Sequence, residues 1–160
     1  MITDLTKSNV LWISFFAVVA LTLSFQFIAQ RYGLVLLDGL YDPAEVRAAI
    51  ANMTAQQRSV HVWVTSTLDV AYPIAYGIFF VGTAYKFFPT CGKYLALPAL
   101  FCVPIDLVEG VIQVLALTTS IDWIQAKAIL TPAKFALVLS ALFITLYGVT
   151  KVRVLRREVM

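Results

Sequence analysis

Four long apolar runs constrain the fold of this 160-residue chain more than any other feature of its sequence. Each run is about as long as the roughly 20 mostly apolar residues that a helix needs to cross a bilayer. A strand would leave its backbone groups unpaired in lipid, so each run is predicted to form a helix. The predicted spans are residues 9–30, 60–85, 94–118 and 123–150.

The composition agrees with a lipid environment. Hydrophobic residues make up 61% of the chain and charged residues 13%, with a mean hydropathy of +0.86, which is too apolar for a water-soluble domain of this size. A soluble enzyme and a disordered chain are therefore excluded. We expect an all-α integral membrane four-helix bundle that forms a single domain over residues 1–160.

The connection between the first two spans is the longest, and a helix is predicted within it over residues 43–57. Asp42 is a favourable N-cap residue, and Pro43 follows it at the first helical position. Apolar residues then recur on one face of an otherwise polar helix, namely Val46, Ile50 and Met53. We expect this short amphipathic helix to lie along the outer membrane surface, with a lid over the outer mouth of the bundle as the alternative.

Basic residues flank the spans unequally and predict the orientation. Because positively charged flanks stay in the cytoplasm, the side with more of them is predicted to be cytoplasmic and to hold both termini, in a multi-pass protein of the bacterial inner membrane. The net charge of +3 thus reflects orientation, and no nucleic-acid partner is expected. The basic residues are Lys7, Lys86, Lys93, Lys151, Arg153, Arg156 and Arg157 on the predicted inner side, and Arg31, Arg47 and Arg58 on the outer side.

Polar and ionisable residues inside three of the spans form one stripe on each helix. A charge at membrane depth is costly, so such groups usually face the bundle interior or a wet cavity and often mark function. Residues three or four positions apart share a helical face. The stripes are His61, Thr65, Asp69, Tyr72 and Tyr76 in span 2, Asp106, Glu109 and Gln113 in span 3, and Lys127, Thr131 and Lys134 in span 4. Together they predict one polar column in the core.

The charged middle of this column is expected near the middle of the bilayer. At a rise of 1.5 Å per residue, Asp69, Glu109 and Lys134 each lie roughly 14 to 17 Å below the outer surface. The polar residues above them are expected to connect this layer with the outer side, while apolar residues seal the inner half. The sequence therefore predicts an outward-facing pocket with a closed floor. The expected floor residues are Phe79, Phe80, Leu95, Leu97, Phe143 and Leu146.

The predicted function is the binding of a hydrophobic or amphipathic small molecule, or a lipid, in this intramembrane polar pocket. The lipid bilayer is the other expected partner. Acids and a lysine would hold the polar end of the ligand, and tyrosine, amide and hydroxyl groups would orient it. The expected ligand-binding residues are Asp69, Lys134, Tyr72, Tyr76, Gln113, Thr131, Lys127 and His61.

Three alternatives remain open. A membrane isomerase, cyclase or hydrolase would use Asp106 and Glu109, one helical turn apart, as catalytic acid and base on a lipid-like substrate. A proton-coupled carrier would use the same acids, and its four spans would need to pair as a homodimer. A purely structural network would pair Asp106 or Glu109 with Lys134, and Asp69 with Lys127.

Metal and cofactor chemistry has little support in the sequence. The chain has one histidine and two cysteines, without the paired spacing of a zinc or redox site. It contains no glycine-rich phosphate loop and no nucleophile-elbow motif. We therefore expect neither a metal ion nor a cofactor.

Two patterns resemble known proteins. The first, in the last two thirds of the chain, resembles small four-span bacterial membrane proteins of unassigned function, and consists of Asp69, Pro73, Tyr76, Asp106, Glu109, Thr131 and Lys134. The second, Leu40-Tyr41-Asp42-Pro43 with Glu45 and Arg47 before a span that holds an acid and then a proline, is similar to the emopamil-binding-protein-like (EXPERA) superfamily. That resemblance implies a pocket for sterols or cationic amphiphiles in which Asp69 binds a cation or transfers a proton. Lys134 and the single histidine depart from the pattern of the enzymes in that superfamily.

Overall fold

The computed structural model describes residues 2–119 and 121–158, including the side chains of residues 4–119 and 121–152. These residues form helices and turns without any strand, which confirms the all-helical prediction. The helices are α1 (Ile2–Leu5), α2 (Ser8–Tyr32), α3 (Pro43–Asn52), α4 (Ala55–Phe87), α5 (Gly92–Leu95), α6 (Leu97–Thr118) and α7 (Lys127–Glu158). Short 3₁₀ turns occupy Leu37–Gly39 and Ile124–Ala126.

Four helical stretches of the described chain are long and apolar enough to cross a membrane, and they correspond to the four predicted spans. They are α2, α4, α5 with α6, and α7. The starts of α2 and the ends of α4 and α7 meet at one end of the bundle. Lys86 Nζ donates to Ser8 Oγ at 2.8 Å, and the rings of Phe88 and Tyr147 stack with centroids 6.0 Å apart. The start of α2 and the C-terminal part of α7 therefore lie at the same end of the bundle.

The central helix of the bundle is α4. It packs along α2, α6 and α7, and α6 also packs along α7. Half of the residues in the most apolar stretch of α4 are buried, compared with 11% in α2. The peripheral helix is therefore α2, which does not pack extensively against α7, and a gap separates these two helices.

The inner half of the bundle has an apolar core, in which Phe79 and Leu95 pack against a buried cluster that includes Phe80. The expectation that the other three floor residues seal this half is wrong. Leu97, Phe143 and Leu146 are 40%, 72% and 56% exposed and lie on the outer surface of the bundle. These helices are apolar on every side, so their sequence does not indicate which face turns inward.

A close approach joins the end of α4 to α5. The backbone N–H of Gly92 donates to the Phe88 carbonyl oxygen at 2.6 Å. A Cβ atom at Gly92 would lie 2.9 Å from the Ala84 carbonyl oxygen and from Tyr85 Cα. Only glycine fits here without moving the backbone of α4.

The segment between α2 and α4 folds over the other end of the bundle. The apolar stripe of α3 faces the protein, where Val46 and Ile50 are buried in a cluster with Leu37 and with residues from the α6–α7 connection. On the exposed side of α3, Arg47 Nε lies 2.7 Å from Asp122 Oδ2, and this guanidinium holds the pKa of Asp122 below its ordinary value. The apolar face of α3 and this ion pair thus hold α3 against the bundle.

The helix predicted over residues 43–57 is divided in two. It ends at Asn52, and α4 begins at Ala55, earlier than the predicted start at residue 60. The reason is a capping box, in which the Thr54 side chain accepts from the Gln57 N–H at 3.2 Å and Gln57 Oε1 accepts from the Thr54 N–H at 3.0 Å. Gln57 Nε2 also donates to the Tyr32 carbonyl at 3.1 Å, which ties the start of α4 to the end of α2.

Candidate functional site

Glu109 of α6 is the centre of a buried cluster of charged and polar side chains. Its side chain is completely buried, and its Oε1 accepts hydrogen bonds from Lys127 Nζ and, at 2.6 Å, from Thr131 Oγ1. Lys134 Nζ lies 2.8 Å from the second oxygen, Oε2. Since these three α7 residues are spaced by four and three positions, one face of α7 surrounds a single carboxylate. The predicted pairing of Glu109 with Lys134 is confirmed.

Asp106 lies one helical turn before Glu109 and shares the same lysine. Lys134 Nζ is 2.9 Å from Asp106 Oδ1. From α4, the Tyr76 hydroxyl donates to Asp106 Oδ2 at 2.8 Å and also lies 3.2 Å from Cys102 Sγ. Lys134 therefore bridges two carboxylates, and Tyr76 fixes the orientation of one of them.

Asp38 belongs to this cluster although none of the helical stripes includes it. It lies on the 3₁₀ turn between α2 and α3, which directs its carboxylate into the bundle. Gln113 Nε2 donates to Asp38 Oδ1 at 2.7 Å, and Lys134 Nζ is 3.7 Å from the same oxygen. The sequence signal for this residue is weak: an acid that directly follows the apolar run Leu34–Leu37 in a long connection.

Asp69 of α4 faces the cluster without a hydrogen-bond or ion-pair partner among the described residues. It is 8% exposed, and one carboxylate oxygen from each of Asp38, Asp69 and Asp106 lies within 4.8 Å of the others. The predicted pairing of Asp69 with Lys127 is wrong. Lys127 starts α7 at the covered end of the bundle and reaches Glu109 instead.

His61 occupies the outer part of the α4 stripe and supports the turn that carries Asp38. It is 2% exposed. Its Nε2 accepts the backbone N–H of Leu37 at 3.4 Å, and its Nδ1 lies 3.2 Å from Thr65 Oγ1. The geometry gives His61 a role in holding the connection in place.

A partly enclosed cavity of about 420 Å³ lies beside the cluster, in the gap between α2 and α7. Its charged end is formed by Asp38, Asp69, Asp106 and Lys134. The rest of the wall is mainly aromatic and aliphatic, with Thr22 and Phe25 from α2, Tyr72, Tyr76 and Phe80 from α4, and Phe135 and Val138 from α7. Such a lining suits a ligand with a large apolar part and a small polar part.

The predicted site residues divide into two groups. Those that line the cavity are Asp69, Tyr72, Tyr76, Asp106 and Lys134. Those at most 2% exposed, which do not line it, are Glu109, Gln113, Lys127, Thr131 and His61. The polar path that these buried residues were expected to open to the outer side is absent from the described structure, because the segment from Leu37 to α3 covers this end of the bundle.

The cluster contains more acids than bases. Four carboxyl groups, from Asp38, Asp69, Asp106 and Glu109, meet two lysines in the described structure. An uncompensated charge is costly in a low-dielectric interior. The surplus acids must therefore hold protons, a cation or a positively charged ligand group.

Comparisons of this chain with protein-family models, with curated proteins and with solved structures gave no match. They neither support nor exclude the superfamily resemblance found in the sequence. The function is therefore argued from the geometry of the cavity and the charged cluster.

Proposed function

We propose that this protein spans a lipid bilayer and binds a hydrophobic or amphipathic small molecule, or a lipid, in the cavity between α2 and α7. The observation that carries this proposal is a cavity of about 420 Å³ with aromatic walls and a charged end formed by Asp69, Asp106 and Lys134. That volume is within the usual range for small-molecule sites, roughly 300 to 1,000 Å³.

The outer surface of the bundle supports the membrane part of the proposal. Large apolar side chains are widely exposed on the peripheral helices, including Ile13, Phe16 and Phe27 on α2 and Ile129 on α7, each at least 60% exposed. In water such a surface would aggregate, whereas lipid chains cover it at no cost. The excess of basic residues at the end that holds both termini supports a cytoplasmic location for that end, and we propose the bacterial inner membrane as the location.

Access to the cavity is proposed to be lateral. The covered end carries Leu37, Val46 and Ile50 packed over the cluster, so a ligand cannot reach the charged groups from there without displacing this segment. The gap between α2 and α7 instead faces the lipid. A molecule dissolved in the membrane would enter between these helices with its polar part towards Lys134 and its apolar part along Phe25 and Phe135.

The test is native mass spectrometry of the full chain, purified in mild detergent, to detect a bound small molecule. Val138→Trp places a large ring in the cavity. Leu139→Trp is the matched control, because Leu139 is the next residue of α7, about 100° further round the helix, where it is 62% exposed and does not line the cavity. We expect an adduct in the wild type and in Leu139→Trp, and its loss in Val138→Trp. An adduct retained equally by both variants would refute binding in this cavity.

A membrane enzyme is the second candidate, and one observation favours it. Asp106 lines the cavity and accepts a hydrogen bond from Tyr76, an arrangement that suits a general acid or base. Glu109 is less suited to that role, since it is completely buried and already bound by Lys127, Thr131 and Lys134. An enzyme would convert the adduct found by mass spectrometry and would stop doing so in Asp106→Asn, whereas a binding protein would return the molecule unchanged.

A further inference from the structure

A groove lies where the end of α2 meets the start of α4, at the covered end of the bundle. It has two partly enclosed parts of about 370 and 550 Å³, which share Arg31 and Tyr32 at the end of α2. Neither part has a lining residue in common with the cavity beside the charged cluster. The groove is therefore a separate space in which a second ligand could lie.

The two parts of the groove differ in chemistry and follow each other along the bundle axis. The smaller part is polar and is lined by Arg31, Tyr32, Thr54, Gln56 and Gln57. Apart from the shared residues, the larger part is mainly apolar and is lined by Phe27, Ile28, Ser59, Val60 and Trp63. Trp63 is eight residues beyond the start of α4, so the apolar part reaches about 12 Å further into the span. A polar end followed by an apolar channel matches the order of head group and acyl chain in a phospholipid.

The charge of Arg31 is uncompensated. Its guanidinium lies over the ring of Tyr32, 5.8 Å from the centroid, and has no hydrogen-bond or ion-pair partner among the described residues. The other two arginines at this end are occupied, since Arg47 is paired with an aspartate and Arg58 donates to a carbonyl oxygen. No acid is found among the described residues that line the groove. A free guanidinium in such a place suits a phosphate, which it can bind through two parallel hydrogen bonds.

Gln56 supplies a second free polar group. Its side chain is exposed and has no hydrogen-bond partner among the described residues, whereas Thr54 and Gln57 are bound to each other in the capping box. A free amide both donates to and accepts from hydroxyl groups. Because no acid lines the groove to hold an ammonium group, the lining favours a phosphate whose head group is uncharged and carries hydroxyls.

We propose that this groove binds one anionic phospholipid, with its phosphate at Arg31, its hydroxyl-bearing head group at Gln56 and an acyl chain in the apolar part. The inference rests on the proposed membrane location of the chain, but it does not depend on ligand binding between α2 and α7. In the proposed orientation the lipid belongs to the outer leaflet. It would join the peripheral helix α2 to the central helix α4.

The experiment is native mass spectrometry of the full chain in mild detergent, titrated with phosphatidylglycerol or with phosphatidylcholine of the same acyl chains. Arg31→Gln removes the free charge. Arg47→Gln is the matched control, since it removes a positive charge from the same end where Asp122 already compensates it. We expect the wild type and Arg47→Gln to bind one phosphatidylglycerol more tightly than phosphatidylcholine. Arg31→Gln should bind phosphatidylglycerol about fivefold more weakly, which corresponds to about 1 kcal/mol for one arginine near anionic lipid.

A second pair of variants tests the apolar part of the groove. Val60→Trp places a large ring where the acyl chain is proposed to lie. Ile74→Trp is the control, because Ile74 is on the same helix, is 48% exposed and does not line the groove. We expect the tightly bound phosphatidylglycerol to be lost in Val60→Trp and kept in Ile74→Trp.

Four results would overturn the proposal. They are equal affinity of the wild type for the two lipids, undiminished phosphatidylglycerol binding in Arg31→Gln, an equal loss in Arg47→Gln, and inorganic phosphate that binds as tightly as the lipid, which would assign the site to a free phosphate. Alkaline extraction of liposomes that contain the chain separates this proposal from the membrane location. Release of the chain from the liposomes would refute the membrane location, whereas retention without a preference for phosphatidylglycerol would refute the lipid site alone.

Discussion

Replacement of Lys134 by methionine is the sharpest test of the charged cluster. The change removes an ammonium group that lies 2.9 Å from Asp106, 2.8 Å from Glu109 and 3.7 Å from Asp38, and puts an apolar side chain of similar length in its place. Glu109 keeps its bonds from Lys127 and Thr131. Asp106 keeps only the hydrogen bond from the Tyr76 hydroxyl, so most of the lost stability arises at this carboxylate.

Breaking a buried ion pair by removal of one partner typically lowers the free energy of unfolding by about 3–5 kcal/mol, whereas removal of both partners is often close to neutral. We therefore expect a loss of this size in Lys134→Met and recovery of most of it in the double variant Lys134→Met/Asp106→Asn. Lys151→Met, at an exposed position of α7, is the control and should change stability by less than about 0.5 kcal/mol.

The assay is reversible unfolding in mixed micelles, with increasing SDS and circular dichroism as the readout. Lys134→Met with wild-type stability would refute the argument that Lys134 compensates buried carboxylates. A double variant no more stable than the single variant would show that the loss does not arise at Asp106.

Two further predictions concern the packing that positions the site. Gly92→Ala should lower the free energy of unfolding by about 1–3 kcal/mol, because the added Cβ would meet the backbone of α4. Gly39→Ala is the control: its Cβ would enter open space, and the free energy of unfolding should change by less than about 0.5 kcal/mol. Equal effects of the two substitutions in SDS titrations would contradict this prediction. Leu37→Ala removes a completely buried side chain, so it should lower the free energy of unfolding by about 2–5 kcal/mol and accelerate hydrogen exchange over residues 33–42. Val35→Ala, at a half-exposed position, should have neither effect. Unchanged exchange in Leu37→Ala would mean that this side chain does not hold the connection in place.

The helices and the meeting of their polar stripes could be predicted because both follow from local patterns. A run of about 20 apolar residues fixes a spanning helix, and a spacing of three or four places polar residues on one face. Lys134 lies within reach of Asp106 and Glu109 for this reason. Such patterns do not state how each helix is rotated or how far it is shifted along its neighbours. For this reason the predicted pair of Asp69 with Lys127 is wrong, and Lys127 binds Glu109.

The connection between α2 and α4 was the least predictable part of the site. Asp38 follows no period. Its position depends on a turn that is held by a hydrogen bond from the Leu37 N–H to His61, 24 residues further along the chain. The amphipathic pattern of α3 correctly marked one apolar face, but a pattern cannot say whether that face meets lipid or protein. In the structure it meets protein.

The chain order of the cluster has a consequence for biosynthesis. The acids are on the connection after α2, on α4 and on α6, and both lysines are on α7. During translation from the N-terminus, Asp38, Asp69, Asp106 and Glu109 are made before either lysine exists. If the helices enter a bilayer as proposed, the carboxylates of α4 and α6 arrive there before their counter-charges. The last helix must then be made before the lysines of the chain can compensate these acids. In the proposed membrane location, a chain that stops before Lys127 would be a three-span intermediate whose acids have neither lysine to pair with.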